Sequence, residues 1–141
     1  MIIPILYLIL FNFINVTSTF DTDIVIESSD QMRFNVTELT VKSGETINLT
    51  LVHTGSLPKV AMGHNWVLLE KGTDVRSFAL SAMKEKDNEY IPSSNVLVAT
   101  PLIGGGEETS ITFTAPSPGE YDFICSFPGH YGLMKGKLIV E

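Results

Sequence analysis

Thr46-Ile47-Asn48-Leu49-Thr50-Leu51-Val52 alternates polar and apolar residues with a period of two. That is the pattern of a strand packed inward on one face and wetted on the other. Ser110-Ile111-Thr112-Phe113-Thr114 repeats it. Six more short segments, at 23–27, 33–39, 65–69, 95–99, 119–125 and 136–140, are rich in β-branched or aromatic residues and bounded by Gly, Pro, Ser or Asp. Eight strands this short and this closely spaced imply an all-β, antiparallel, two-sheet sandwich. One segment breaks the period. Between residues 71 and 86, Val75, Phe78, Ala79, Ala82 and Met83 recur at three and four residues. This is the stripe of an amphipathic helix, with Thr73 or Asp74 to cap it and Asp87-Asn88 to stop it. It predicts one α-helical flap inserted on the sandwich.

The chain has 141 residues, enough for one domain with a sizeable core. It carries 16 acidic and 9 basic residues, a net charge of -7, and the basic residues form no run that would neutralise a phosphate backbone. Nucleic-acid binding is excluded on that ground. Residues 1–16 hold no charge and are almost wholly apolar, with Val16-Thr17-Ser18 as a small-residue exit. The stretch reads as a secretory signal peptide over residues 1–20, cleaved near Ser18 to Phe20, with the domain at 21–141. The apolar run is shorter than the roughly 20 residues needed to span a bilayer. A mature protein without a membrane span follows. Cys125 is the single cysteine and has no partner within the chain, so in an exported protein it points to a metal ligand more than to a packed thiol.

Cys125-Ser126-Phe127-Pro128-Gly129-His130-Tyr131-Gly132-Leu133-Met134 strings a thiol, an imidazole and a thioether at the spacing C-x4-H-x3-M, between two expected strands. Thiolate and thioether are soft ligands, and two His with one Cys and a long axial Met is the blue-copper donor set. A tight turn at Pro128-Gly129 brings His130 back toward the thiol. The second imidazole comes from His53 or His64. His64 follows Gly63, where the backbone can approach a metal closely, while His53 ends a long strand and reads as a packed structural imidazole. His64 is therefore the expected ligand.

Asp30-Gln31-Met32 with Phe34-Asn35, Leu57-Pro58-Lys59, Met62-Gly63-His64-Asn65-Trp66-Val67-Leu68, Leu102-Ile103-Gly104, Phe127-Pro128-Gly129-His130 and Leu133-Met134-Lys135-Gly136 are strings that resemble the azurins, a group of the cupredoxin or type 1 blue-copper family. The resemblance covers the chain from about Asp23 onward. It implies a cupredoxin-like, eight-stranded antiparallel Greek-key β-sandwich holding one type 1 copper ion. His64, Cys125 and His130 would form the trigonal plane, with Met134 axial and the Gly63 carbonyl as the distant contact opposite. Asn65 would brace the two ligand segments, and backbone following Cys125 would donate toward the sulfur. The resemblance also implies a periplasmic, monomeric electron carrier. Its redox partners, such as c-type cytochromes or a terminal reductase, would dock on an apolar rim of Met32, Leu57, Ala61, Met62, Phe127, Gly129, Gly132 and Leu133 around His130.

The azurins commonly carry a disulfide at the end away from copper, where this chain has Phe20 and Gly44. Tyr131 and Gly132 occupy loop positions that are often small. Copper buffering or delivery is the rival reading, resting on Met32, Met62 and Met134, but no Met- or His-rich tract offers an open transfer site. Catalysis would need a further copper or an open coordination position, and only His53 remains among three histidines. Zinc is disfavoured by the thioether.

Overall fold

The computed structural model describes residues 20–141, so nearly all of the expected signal peptide lies outside it. Among these residues no helix is long and apolar enough to cross a membrane. Eight strands form two sheets. The first has three strands, β1 (Asp21–Ser28), β3 (Thr46–His53) and β6 (Glu108–Thr114), in the order β1-β3-β6. The second has five, β2 (Glu38–Val41), β8 (Lys135–Val140), β7 (Gly119–Ile124), β4 (Val67–Leu69) and β5 (Val96–Ala99), in the order β2-β8-β7-β4-β5.

Two of the six pairings, β1 with β3 and β2 with β8, run parallel, where the sequence suggested antiparallel neighbours throughout. Periodicity reports which face a residue occupies, not the direction of its neighbour. The strand expected over 33–39 is displaced: Phe34 makes only an isolated bridge to Ser28, and β2 starts at Glu38. Asn35 explains the break, because its side-chain oxygen accepts from Glu27 N at 2.8 Å and its own N–H donates to the Glu27 carbonyl at 2.9 Å. Such local side-chain bonds compete with a ladder.

The core follows strand parity. Ile47, Leu49 and Leu51 of β3, Trp66 and Leu68 on and before β4, and Tyr121 and Phe123 of β7 all face the space between the sheets. Each such side chain stabilises the fold by roughly 1.5–3 kcal/mol. The opposite parity of β4 is also buried. Val67, Leu69 and Ile124 pack beneath helix α2 (Val75–Ala82), which supplies Phe78, Ala79 and Ala82. That second cover accounts for the unbroken apolar run Val67-Leu68-Leu69. Asp74 caps α2, its carboxylate accepting from Ser77 N at 2.8 Å. Met83, expected on the buried stripe, instead lies past the last turn and faces solvent. A one-turn helix, α1 (Lys59–Met62), has no signal in the sequence pattern and sits just before Gly63.

Candidate metal centre

Strand parity carries polar groups to one end of the core. Continuing the inner faces of β3, β4 and β7 by one or two residues gives His53, His64 and Cys125, all buried. A nitrogen of His64, a nitrogen of His130 and the Cys125 sulfur all lie within 4.8 Å of one another. The sulfur is 3.6 Å from His130 Nδ1, 3.9 Å from His64 Nδ1 and 3.9 Å from the Gly63 carbonyl oxygen. Met134 is wholly buried in the same core cluster as Cys125.

Backbone geometry holds these groups in place. His64 pairs with Ile103 through two main-chain bonds of 3.0 and 2.9 Å, and its Nε2–H donates to the Ser29 carbonyl at 2.8 Å, leaving Nδ1 to face the thiol. At Gly63 a Cβ would stand 2.6 Å from the Lys59 carbonyl and 2.9 Å from a Leu102 methyl, so only glycine brings this carbonyl so near the sulfur. The ligand loop closes on its own strands, with Cys125 N donating to the Met134 carbonyl at 3.0 Å. Within it, His130 N donates to the Phe127 carbonyl at 3.1 Å, and Gly129 takes φ of +82°. Pro at the second position and a positive-φ Gly at the third mark a type II turn. The turn expected at Pro128-Gly129 is present.

Asn65 links the two ligand segments. Its side-chain oxygen accepts from Ser126 N at 2.8 Å, and its amide donates to Ser126 Oγ at 2.9 Å. The same pair reaches beyond the loop, because Ser126 Oγ donates to the Tyr90 carbonyl at 2.6 Å and the Asn65 amide to the Glu89 carbonyl at 3.3 Å. Glu89 and Tyr90 both have positive φ, 53° and 62°, an uncommon state for side chains of that size. Sequence reading missed this anchor, since no local pattern announces two successive left-handed residues.

Burial sets the protonation of the donors. It pushes the Cys125 thiol up to about 12, although backbone N–H groups of Asn65 and Phe127 pull partly the other way. Burial pushes His130 down to about 4, with smaller contributions from His64 and His53. His64 is lowered for the same first reason, opposed by its bond to Ser29. Both imidazoles are therefore neutral at pH 7, with lone pairs available, while the thiol keeps its proton until a cation replaces it. This soft, desolvated donor set suits copper.

His53 does not join the cluster. Gly55 N donates to its Nδ1 at 3.1 Å, and its Nε2 donates to the Met62 carbonyl at 2.9 Å, so both nitrogens are occupied. Its ring stacks on His64 with centroids 4.3 Å apart, as a structural imidazole should. Asp30 lies 3.9 Å away, but it is held below the ordinary carboxylate range chiefly by the Ser56 N–H, with His53 a smaller influence. Of the expected rim, Leu57 and Leu133 are exposed at 41% and 46%, Ala61, Gly129 and Gly132 are exposed, and Met32, Met62 and Phe127 are half-buried. Val60 on α1, 88% exposed, adds to the rim and was not anticipated. His130 itself is only 3% exposed.

Comparison with known proteins agrees with this chemistry. The azurin of Pseudomonas chlororaphis is 44% identical over 123 residues, covering 82% of this chain and 95% of its own length. That of Alcaligenes faecalis is 42% identical over 123 residues, with the same coverage of each chain. Auracyanin A, a blue copper protein from Chloroflexus aurantiacus, superposes with a TM-score of 0.78 at 35% identity, covering 86% of this chain and 99% of the other. A family model for copper binding proteins, plastocyanin/azurin family, matches residues 20–141. The chain belongs to the plastocyanin/azurin family of copper-binding proteins, and its cluster of His64, Cys125, His130 and Met134 is a type 1 copper site of an azurin-like cupredoxin.

Proposed function

We propose that the protein is an exported, periplasmic electron carrier rather than an enzyme, active as a monomer with the domain at 21–141 once residues 1–20 are removed. His64, Cys125, His130 and Met134 would hold one copper ion, with the Gly63 carbonyl beside the sulfur as a further donor. The observation that carries the assignment is the wholly buried thiol facing both imidazole Nδ1 atoms within 4 Å. Bound copper supplies a one-electron Cu(I)/Cu(II) couple at this point. The protein's contribution is to keep the donors fixed: the His64 pairing to Ile103, the Cys125 bond to Met134 and the Asn65 brace leave little room to rearrange between two oxidation states. Phe127, with its centroid 4.6 Å from His130, covers the ring, and the exposed Leu57, Val60 and Leu133 offer an apolar face for c-type cytochromes or a terminal reductase.

The copper-loaded protein is expected to show an intense blue band, bleached by reductant and restored by oxidant. Cys125→Ser abolishes that band. A colourless copper-loaded protein, or a band that survives Cys125→Ser, overturns the assignment.

A further inference from the structure

Beside the apolar rim lies a cleft of about 280 Å³, walled by Lys59 and Val60 of α1, Lys86 of the 86–88 turn, Tyr90, Leu102 and Phe127. The space has room for the tip of a side chain from a docked protein. Lys59 and Lys86 are exposed, and among the described residues neither has a carboxylate within 4 Å, the recorded contacts being Lys137 with Asp122 and His53 with Asp30. In a chain of net charge -7, two unpaired ammonium groups on one cleft run against the average. Glu89 also lines the cleft, with one oxygen accepting from Leu102 N at 3.3 Å, so the cleft sets two ammonium groups against one carboxylate that is turned to the backbone. The ring of Phe127 forms a bridge inward, 5.3 Å from Tyr90 and 4.6 Å from His130.

We propose that the cleft between Lys59 and Lys86 seats a carboxylate of the electron-transfer partner, so that the partner's docking face sets an acidic side chain beside an apolar patch. This rests on the electron-carrier reading above. The seat fixes which way the partner faces and lies one aromatic ring from a copper ligand. Charges at an interface rim act mainly on association rate and its salt dependence.

The test is oxidation of the reduced, copper-loaded protein by two cobalt(III) complexes, the anionic bis(dipicolinate), which carries carboxylates, and the cationic tris(phenanthroline). Lys59→Glu and Lys86→Glu are compared with Lys42→Glu, which makes the same change in net charge at the opposite end, where Val41 pairs with Val140. At about 10 mM salt, where the screening length is about 30 Å, each cleft variant is expected to slow oxidation by the anionic complex about fivefold. The cationic complex should not be slowed, and Lys42→Glu should change little. Near 1 M salt, with screening within about 3 Å, the difference should vanish. Lys59→Gln should give a smaller loss than Lys59→Glu. Equal slowing by Lys42→Glu, or unchanged rates in both cleft variants, overturns the proposal. A protein that exchanges electrons with neither complex overturns the carrier reading, and the seat falls with it.

Discussion

The ligand loop at 125–134 and the insertion at 70–94 sit next to each other and obey different rules. The loop is short, joined to β7 and β8 at both ends, and closed by the Cys125 to Met134 bond. The insertion is long and mostly exposed, and it is held by α2 against the five-stranded sheet, by the Glu89 and Tyr90 carbonyls against Asn65 and Ser126, and by the Glu89 carboxylate on Leu102 N. The comparison separates two jobs. Donors are placed by strand ends, whereas the insertion covers the sheet and holds the brace from outside.

Breaking the cover should therefore cost stability without removing the site. Phe78→Ala removes the largest side chain that α2 buries against Val67, Leu69 and Ile124. A loss of about 3–5 kcal/mol is expected, read as a lowered urea midpoint of the copper-free protein, with the blue band of the copper-loaded form unchanged. A shifted band would show that α2 helps to position Cys125 through Ile124.

The second contrast concerns protons, because the loop's donors are buried and the insertion's charges are not. With the Cys125 thiol at about 12 and His130 at about 4, copper entering at pH 5 to 8 displaces one thiol proton and meets a neutral imidazole. Affinity of the apoprotein for copper should rise about tenfold, about 1.4 kcal/mol, per pH unit in this range. Below about 4 the dependence should steepen as His130 takes up a proton. The sign for folding is separate. A His whose folded pKa is depressed costs the apoprotein stability as pH falls from 6.5 toward about 4, since the unfolded chain binds a proton that the folded one refuses. Competition titration against a chelator of known proton dependence checks the first claim, and a flat affinity from pH 5 to 8 refutes it.

The two regions were also unequally legible. The loop declared itself, since Cys125, His130 and Met134 are close in sequence and their chemistry is narrow; His64 followed from its glycine neighbour. Period-two alternation in β3 and β6 placed the core, and a period near 3.6 placed α2 together with its Asp74 cap. What stayed hidden depends on contacts between distant residues. Parallel pairing of β1 with β3 is a property of chain paths, and the shift of β2 to Glu38 depends on Asn35 meeting Glu27 across a turn. The left-handed pair Glu89 and Tyr90 is held by residues 24 to 36 positions away. Even His53 was half legible: parity with Ile47, Leu49 and Leu51 aims it inward, but its stacking on His64 needs the fold.

The smallest expected effect falls where the two regions meet. Ser126 uses its backbone and its side chain for different bonds: its N–H donates to the Asn65 side-chain oxygen at 2.8 Å, and its hydroxyl donates to the Tyr90 carbonyl. Ser126→Ala keeps the first and removes the second, together with the bond that the hydroxyl accepts from the Asn65 amide at 2.9 Å. The Tyr90 carbonyl then loses a partially buried partner, and stability should fall by about 1–2 kcal/mol. The backbone half of the ligand brace, from Ser126 N to the Asn65 oxygen, survives, so the blue band and the reduction potential should stay where they are. Were the band to shift while the urea midpoint held, the insertion would be governing the copper site through this hydroxyl, and the division of labour between loop and insertion would have to be redrawn around Glu89 and Tyr90.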